Sequence, residues 1–189
     1  TLEFGKTTEL TSVDGSVFRN SNLSKFAVDP ENAEYGTSAD GRLLTSKDGR
    51  TIYFAATGVD YGTYVVGEDV DEIASGAFSG VKISKLIIKN PDCKIASYAF
   101  EYCEGLTEVI LPENNNITIG DYAFAECRFL SDFEMCNSGD GTSASNLKEL
   151  GWNVFENCET LSSLTFPESY NEALDISAFK GCKNLRHIT

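Results

Sequence analysis

The sequence has little of several residue types on which common functions depend. It contains one histidine, one tryptophan and one methionine in 189 residues, and no two cysteines have the Cys-x-x-Cys spacing of zinc sites. The histidine, His187, has no nucleophile motif beside it, so a Ser–His or Cys–His catalytic pair finds no support. We therefore expect a non-catalytic protein without a metal ion or cofactor, in which His187 is a solvated residue.

Basic residues are scarce as well. Lys and Arg together number 15 against 29 Asp and Glu, which gives a formal net charge of −14 at pH 7. Binding to nucleic acid and to anionic membranes depends on cations, so both are poor partners for this chain. No apolar run approaches the roughly 20 residues that span a bilayer. We expect no nucleic-acid binding and no insertion into a membrane.

The sequence is rich in one repeated phrase, an aliphatic residue followed by a short variable stretch, Ala or Val, and then Phe. The anchoring phenylalanines are Phe18, Phe78, Phe100, Phe124, Phe155 and Phe179. Phe78 and Phe100 are 22 residues apart, and Phe100 and Phe124 are 24 apart. A period in the low twenties is too long for one helix or strand. It indicates a solenoid whose units bury their apolar faces by stacking on one another.

Each unit continues with a second pattern after its phenylalanine. The fullest copy, AFEYCEGLTEVILP at 99–112, places Leu106, Val109 and Leu111 at the spacing of a short strand with inward apolar residues. The phrase before the phenylalanine predicts a short turn of α or 3₁₀ helix on the opposite side. Stacked units therefore predict an α/β solenoid, with a parallel sheet on one face and short helical segments on the other.

The wording LxxVxLPxxxxxIGxxAFxxC resembles the treponemal-type leucine-rich repeat of BspA-like bacterial surface proteins, and the resemblance covers residues 13–189. It implies a leucine-rich-repeat fold and an extracellular or cell-surface location. It also implies adhesion to a host protein or matrix component through a concave sheet or inserted loops. Two alternatives stay open. One is a structural spacer in a longer surface protein, and the other is a carbohydrate-binding protein with Tyr61, Tyr64 and Trp152 as aromatic platforms.

The chain departs from the repeat in two places within a predicted single domain, 1–189. Residues 29–70 are interpreted as one enlarged repeat, in which the run LLTSKDGRTIYF predicts a β-hairpin that decorates the solenoid. The polar stretch 137–146 predicts a loop insertion. Residues 1–12 resemble the tail of a preceding strand, and the chain ends within a strand. We expect either a slice of a longer array or an end that is protected by a partner.

Four of the six cysteines follow a repeat phenylalanine by three residues: Cys103, Cys127, Cys158 and Cys182. Ser21 and Val81 occupy the same place in other copies, which indicates a small buried packing position. Packing thiols are the favoured interpretation, with a disulfide or a metal ligand as the alternatives.

Strand residues that point away from the core are the predicted contacts for a protein partner. One file consists of Ala27, Ile87, Ile110, Glu134 and Thr165, and the file beside it includes Lys85, Glu108 and Asp132. Trp152 is a further predicted contact. The equivalent position in other units is occupied by Ser75, Ser97, Asp121 and Ile176, so the scaffold does not require an aromatic residue there. Trp152 either covers the base of the 137–146 loop or is an exposed contact residue.

Overall fold

The computed structural model describes residues 1–8, 15–113, 115–135, 147–167, 170 and 172–189. Within them the chain forms short strands joined by turns, with two four-residue 3₁₀ helices at Gly15–Phe18 and Ile176–Phe179. The strands are β1 Leu2–Phe4, β2 Phe26–Val28, β3 Tyr35–Thr37, β4 Leu43–Ser46, β5 Thr51–Ala55, β6 Thr63–Val66, β7 Glu72–Ile73, β8 Lys85–Ile88, β9 Lys94–Ile95, β10 Glu108–Ile110, β11 Thr118–Ile119, β12 Asp132–Glu134, β13 Glu149–Leu150, β14 Ser163–Leu164 and β15 His187–Ile188. The predicted loop at 137–146 lies outside the described residues.

Four strands form a parallel sheet in the order β12–β10–β8–β6. Its inward residues are the alternating apolar positions of the repeat, since Leu86 is in register with Val109 and Val109 with Phe133. All three are buried. The residues between them face outward because successive side chains of a strand point to opposite faces. The alternation after each repeat phenylalanine is therefore confirmed as a strand signal.

A second sheet contains seven strands in the order β13–β11–β9–β7–β5–β4–β3. Its two-residue parallel strands contain the aliphatic residue that opens each phrase. Ile73 is in register with Ile95, Ile95 with Ile119, and Ile119 with Leu150. The sequence prediction assigned these residues to a helical face. The α/β description is not confirmed, because the described chain is a β-solenoid with almost no helix.

The backbone on either side of each repeat phenylalanine explains why helix is so limited. Gly76 and Gly80, two residues before and two after Phe78, have φ of 65° and 69°. The same two places are left-handed in the next units, at Tyr98, Tyr102, Tyr122, Glu126, Asn153 and Asn157. A right-handed helix requires negative φ at every residue. Bonds such as Ser79 N–H to the Gly76 carbonyl, 3.0 Å, therefore close single turns instead of a continuous helix.

The predicted hairpin is present, since β4 and β5 pair in antiparallel fashion with Leu43 opposite Ala55. The hairpin is also continuous with the solenoid, which the sequence did not predict. Strand β5 is also the parallel partner of β7, with Ile52 in register with Ile73, so the hairpin extends the second sheet. The assignment of 29–70 to one enlarged repeat within a single domain stays a prediction.

Buried apolar residues separate into two clusters. The larger one runs through the regular repeats, and the smaller one contains Phe4, Phe26, Tyr35, Leu44, Phe54 and Ala56. Phe18 belongs to the smaller cluster, where its ring centroid is 5.1 Å from that of Phe54. The sequence placed Phe18 in the same repeat column as the other five anchoring phenylalanines. Strand β1 pairs in parallel with β2, as expected for the tail of a preceding strand.

The other five repeat phenylalanines stack on one another through the larger cluster and form a ladder. The centroid distances are 5.1 Å for Phe78–Phe100, 5.2 Å for Phe100–Phe124, 6.1 Å for Phe124–Phe155 and 6.0 Å for Phe155–Phe179. The planes of Phe100 and Phe124 differ by 2°. Because an inner ring touches one ring of the unit before it and one of the unit after it, the ladder joins consecutive units into one core.

Replacement of Phe124 by Ala should lower the free energy of unfolding by about 3–5 kcal/mol, as for other buried aromatic side chains. The ring is fully buried between Phe100 and Phe155, so its loss leaves a cavity shared by two units. Urea unfolding followed by circular dichroism measures the change.

Phe129→Ala is the matched control, because Phe129 is an exposed phenylalanine only five positions along the chain. Its effect should stay within about 0.5 kcal/mol. Equal effects of the two substitutions would contradict the assignment of the ladder as the core.

Candidate binding surface

The outward face of the four-stranded sheet carries two files of side chains that cross the strands in register. The first, here called the apolar file, consists of Val65, Ile87, Ile110 and Glu134. The second, here called the charged file, consists of Thr63, Lys85, Glu108 and Asp132. The structure thus brings together six of the nine predicted contact residues and adds Thr63 and Val65 from β6.

The apolar file is aliphatic over three successive strands. Val65 is 43% exposed, and Ile87 and Ile110 are half-buried. Their strands are fixed from below by inward neighbours such as Leu86 and Val109, which have no exposed surface. The file therefore presents aliphatic groups on a rigid backbone, where an incoming apolar side chain would gain contact without reordering the sheet.

Negative charge concentrates at one end of both files. Carboxylate oxygens of Glu108, Asp132 and Glu134 lie within 4.8 Å of one another. Lys85 Nζ lies 2.7 Å from Glu108 Oε1, so one ammonium group faces three carboxylates. Oxygen ligands of this kind suit hard cations such as Ca²⁺ and Mg²⁺, and these three are the residues of the surface that could hold one. Lys85 already compensates part of the charge, and the cluster gives the outward face an acidic edge.

Thr165 is not brought into register with the apolar file. It follows β14, which pairs with β15 in a separate two-stranded sheet. Its hydroxyl oxygen lies 3.2 Å from that of Thr189. Ala27 likewise lies in β2, outside the four-stranded sheet. The predicted file across all the units is therefore interrupted where the sheets change.

Trp152 lies on a turn on another side of the solenoid and is 65% exposed. Its backbone N–H donates to Asp121 Oδ1 at 2.7 Å, and its carbonyl accepts from Tyr122 N–H at 2.9 Å. These bonds fix the backbone of Trp152 against the preceding unit. Trp152 does not join the two files, and a contact with the 137–146 loop falls outside the described residues.

Tyr61 and Tyr64 are not the aromatic platforms that the sequence suggested. Their ring centroids lie 6.2 and 5.2 Å from that of Phe78, and both pack against the core. The Tyr61 hydroxyl donates to the Arg42 carbonyl and accepts from Ala56 N–H, both at 3.0 Å. Burial raises the pKa of Tyr64 to about 12. Both rings therefore have a packing role in the fold.

The recurrent cysteines form a second ladder beside the phenylalanines. Each thiol lies within hydrogen-bonding distance of the carbonyl of the repeat phenylalanine one unit earlier, at 3.1 Å for Cys103–Phe78, 3.2 Å for Cys127–Phe100, 3.3 Å for Cys158–Phe124 and 3.0 Å for Cys182–Phe155. The five described cysteines are unpaired. Burial raises the pKa of Cys103 to about 12 and that of Cys182 to about 11. The interpretation as buried packing thiols is confirmed for Cys103, Cys127 and Cys158, whereas Cys182 packs against the core but is partly exposed.

His187 lies in β15 and is exposed, as predicted. Among the described residues, no helix has the length and apolar character needed to cross a bilayer.

Parallel sheets of short strands wound around an aromatic ladder define a solenoid of the leucine-rich-repeat class. Comparison with known families agrees: the model of the BspA type leucine rich repeat region matches residues 62–141 and 132–189, with six copies. The chain belongs to this family. Among curated proteins, none matches the sequence significantly.

Several solved structures resemble the fold. The pneumococcal vaccine antigen PcpA has 24% identity and a TM-score of 0.80, over 99% of this chain and 44% of that chain. A leucine rich cell surface protein from Faecalibacterium prausnitzii has 18% identity and a TM-score of 0.74, over 98% and 47%. The leucine rich repeat protein of T. pallidum has 22% identity and a TM-score of 0.53, over 82% and 78%. The chain thus spans less than half the length of the first two.

The thiol ladder predicts an order of chemical labelling. At about pH 8, where the thiolate is the reactive form, iodoacetamide should label Cys182 before Cys103, Cys127 and Cys158. Cys182 is partly exposed and the other three are buried. Pulsed alkylation followed by peptide mass spectrometry measures each rate separately, and urea-unfolded protein, in which all four should react alike, is the control. Equal rates in the folded protein would contradict the ladder.

Proposed function

We propose that this protein is a non-catalytic component of a bacterial cell surface that binds a protein partner through the outward face of its four-stranded sheet. Family membership supports an interaction role in general terms, because repeat solenoids present extended rigid surfaces of the kind that protein-sized partners use. We propose the extracellular location and the choice of binding surface in addition to this general role.

The apolar file carries the proposal. Val65, Ile87 and Ile110 are side by side on three strands, and strands in a sheet are about 4.8 Å apart. The row therefore spans about 10 Å. This is the size of a hot spot, the small group of residues that contributes most of the binding energy, and is smaller than a whole interface. Surrounding residues of the same face would complete the buried area and exclude water.

The acidic edge defines which partners fit. Glu108, Asp132 and Glu134 outnumber Lys85, so a partner segment with an apolar anchor and neighbouring Lys or Arg residues complements the face in both respects. Complementary charge raises the association rate and disfavours acidic partners, and the gain declines with added salt.

A cell-surface location is supported by two proteins of similar fold. The F. prausnitzii protein of similar fold is described as a cell surface protein, and PcpA as a vaccine antigen. The five described cysteines are unpaired. Four of them are buried, Cys182 is partly exposed, and raised pKa values keep the reactive thiolate form of all five rare. Such thiols are compatible with an oxidising environment, in which exposed thiols would be modified.

The double variant Ile87→Asp with Ile110→Asp tests the surface. Each substitution places a carboxylate where the proposal requires apolar contact, next to an edge that is already acidic. Wild-type protein should bind at least one member of an array of purified extracellular-matrix and plasma proteins. The double variant should bind that protein at least about 30-fold more weakly, the loss expected when energetic centres of an interface are removed.

Ile176→Asp is the matched control, because Ile176 is 85% exposed and lies on a 3₁₀ helix outside the sheet. It should retain wild-type affinity, and circular dichroism should show all variants folded. Unchanged binding by the double variant would refute this face as the site. If the wild-type protein binds none of the arrayed proteins, the structural-spacer alternative is favoured.

A further inference from the structure

Strand β6 is the last strand of the four-stranded sheet, and among the described strands it has a partner on one side only. That partner is β8, which runs parallel to it. Lys89 N–H donates to the Val66 carbonyl at 3.1 Å, so the backbone groups of Val66 face β8. Because the backbone groups of successive residues in a strand face opposite edges, the N–H and C=O groups of Thr63 and Val65 point away from the sheet.

This outer edge of β6 is open. Within the described residues, no hydrogen bond reaches the backbone N–H or C=O groups of Thr63 and Val65. Both side chains are exposed. Tyr64, between them, points inward but is only half-buried, whereas Leu86, its register partner in β8, has no exposed surface. The difference is expected where one flank of a strand lacks a neighbour.

The irregular stretch before β6 explains the open edge. In the regular units each strand of the sheet pairs with the strand of the unit before it, as β10 pairs with β8 and β12 with β10. The strand that precedes β6 in this series is β2, which belongs instead to the two-stranded sheet with β1. Phe26 N–H in β2 donates to the Gly41 carbonyl at 2.7 Å, so β2 bonds to the turn before β4. The parallel series of strands is therefore interrupted in front of β6.

Carboxylates flank the open edge at both ends. Asp60 lies shortly before β6, and Glu68 and Asp69 follow it; all three are exposed. Among the described residues, none of the three forms an ion pair. The lysines of this region, Lys82 and Lys89, flank β8, one strand further from the edge. An approaching chain therefore meets negative charge first, which favours Lys and Arg at its flanks.

We propose that a partner protein adds an extended segment to the edge of β6 as a parallel strand, and that this segment has aliphatic residues flanked by Lys or Arg. Its backbone bonds to the outward N–H and C=O groups of Thr63 and Val65, as in other cases of strand addition to an exposed sheet edge. Its aliphatic side chains lie beside Val65 and lengthen the apolar file by one strand. The inference rests on the proposed function, because it names the form in which the partner meets the same face.

The parallel arrangement fixes which groups of the segment are used. In a parallel pair, the residue opposite Val65 leaves the bonding to its two sequence neighbours, whose C=O and N–H groups face the edge. Aliphatic residues that continue the apolar file therefore alternate with the residues that bond to β6. The backbone bonds supply affinity, and Val65 together with the flanking carboxylates selects the sequence of the segment.

The designed peptide acetyl-Lys-Lys-Thr-Ile-Thr-Ile-Lys-Lys-amide is the probe, and hydrogen exchange resolved by residue with NMR is the measurement. In the free protein, the amide hydrogens of Thr63 and Val65 should exchange at least about tenfold faster than those of Tyr64 and Val66, which face β8. Saturating peptide should slow exchange at Thr63 and Val65 at least about fivefold, because their N–H groups then donate to the peptide.

Three altered peptides are the controls. Methylation of both threonine nitrogens removes the N–H groups that face β6 and should abolish binding. Methylation of both isoleucine nitrogens, which point away from β6, should leave the affinity within about threefold of the parent peptide. The counterpart with Glu in place of every Lys should bind at least about tenfold more weakly, because the edge is flanked by carboxylates.

The variants Val65→Pro and Val65→Thr separate the backbone of β6 from its side chain. Both replace the aliphatic side chain, but only proline lacks the outward N–H group. Proline is accepted in an edge strand where its nitrogen faces away from the sheet. Val65→Pro should bind the peptide, and any partner found on the protein array, at least about tenfold more weakly than Val65→Thr does. Circular dichroism checks that both variants are folded.

Three outcomes would overturn the proposal. The first is the absence of binding by the lysine-flanked peptide at millimolar concentration. The second is equal binding by the two methylated peptides. The third is equal binding of an array partner by Val65→Pro and Val65→Thr while the Ile87→Asp, Ile110→Asp variant loses that partner. This last result would retain the proposed face and reject strand addition, so the two proposals fail separately.

Discussion

The stacking of one unit on the next is the interaction on which the whole structure depends. A single unit offers two strands of two to four residues, far too little to bury its own phenylalanine. Phe124 becomes core only because Phe100 covers one of its faces and Phe155 the other. Every other regular feature follows from this requirement, because a unit that stacks must repeat the backbone path of its neighbour.

The repeated path also explains why certain side chains are fixed and others vary. The thiol of Cys127 reaches the carbonyl of Phe100, and that of Cys158 reaches the carbonyl of Phe124, so one small group per unit fills the same gap. Left-handed turns on both sides of the phenylalanine direct the chain from one sheet to the other within a few residues. Inward columns therefore have little freedom of composition. Outward columns can change without cost to the stack, and recognition can only be encoded there.

The sequence was sufficient for the features that recur at fixed spacing. The period, the strand after each phenylalanine, the packing cysteines and the hairpin could all be predicted, since each is a local pattern repeated or bounded by turn residues. The second sheet was missed because two-residue strands around Ile95 or Ile119 have no alternation to detect. Val65 was missed because β6 lies inside the irregular stretch, where its pairing with Ile87 depends on a long-range register. The stack of Tyr98 on Tyr122 lies in a column whose left-handed backbone only the structure reveals.

These misses have a common physical cause that bears on function. Patterns within a short stretch of sequence identify the residues that pack within one unit. A binding surface consists of residues from different units, and which of them are neighbours depends on the register between strands. Val65 and Ile110 are 45 positions apart in the sequence (65 to 110), and both flank Ile87.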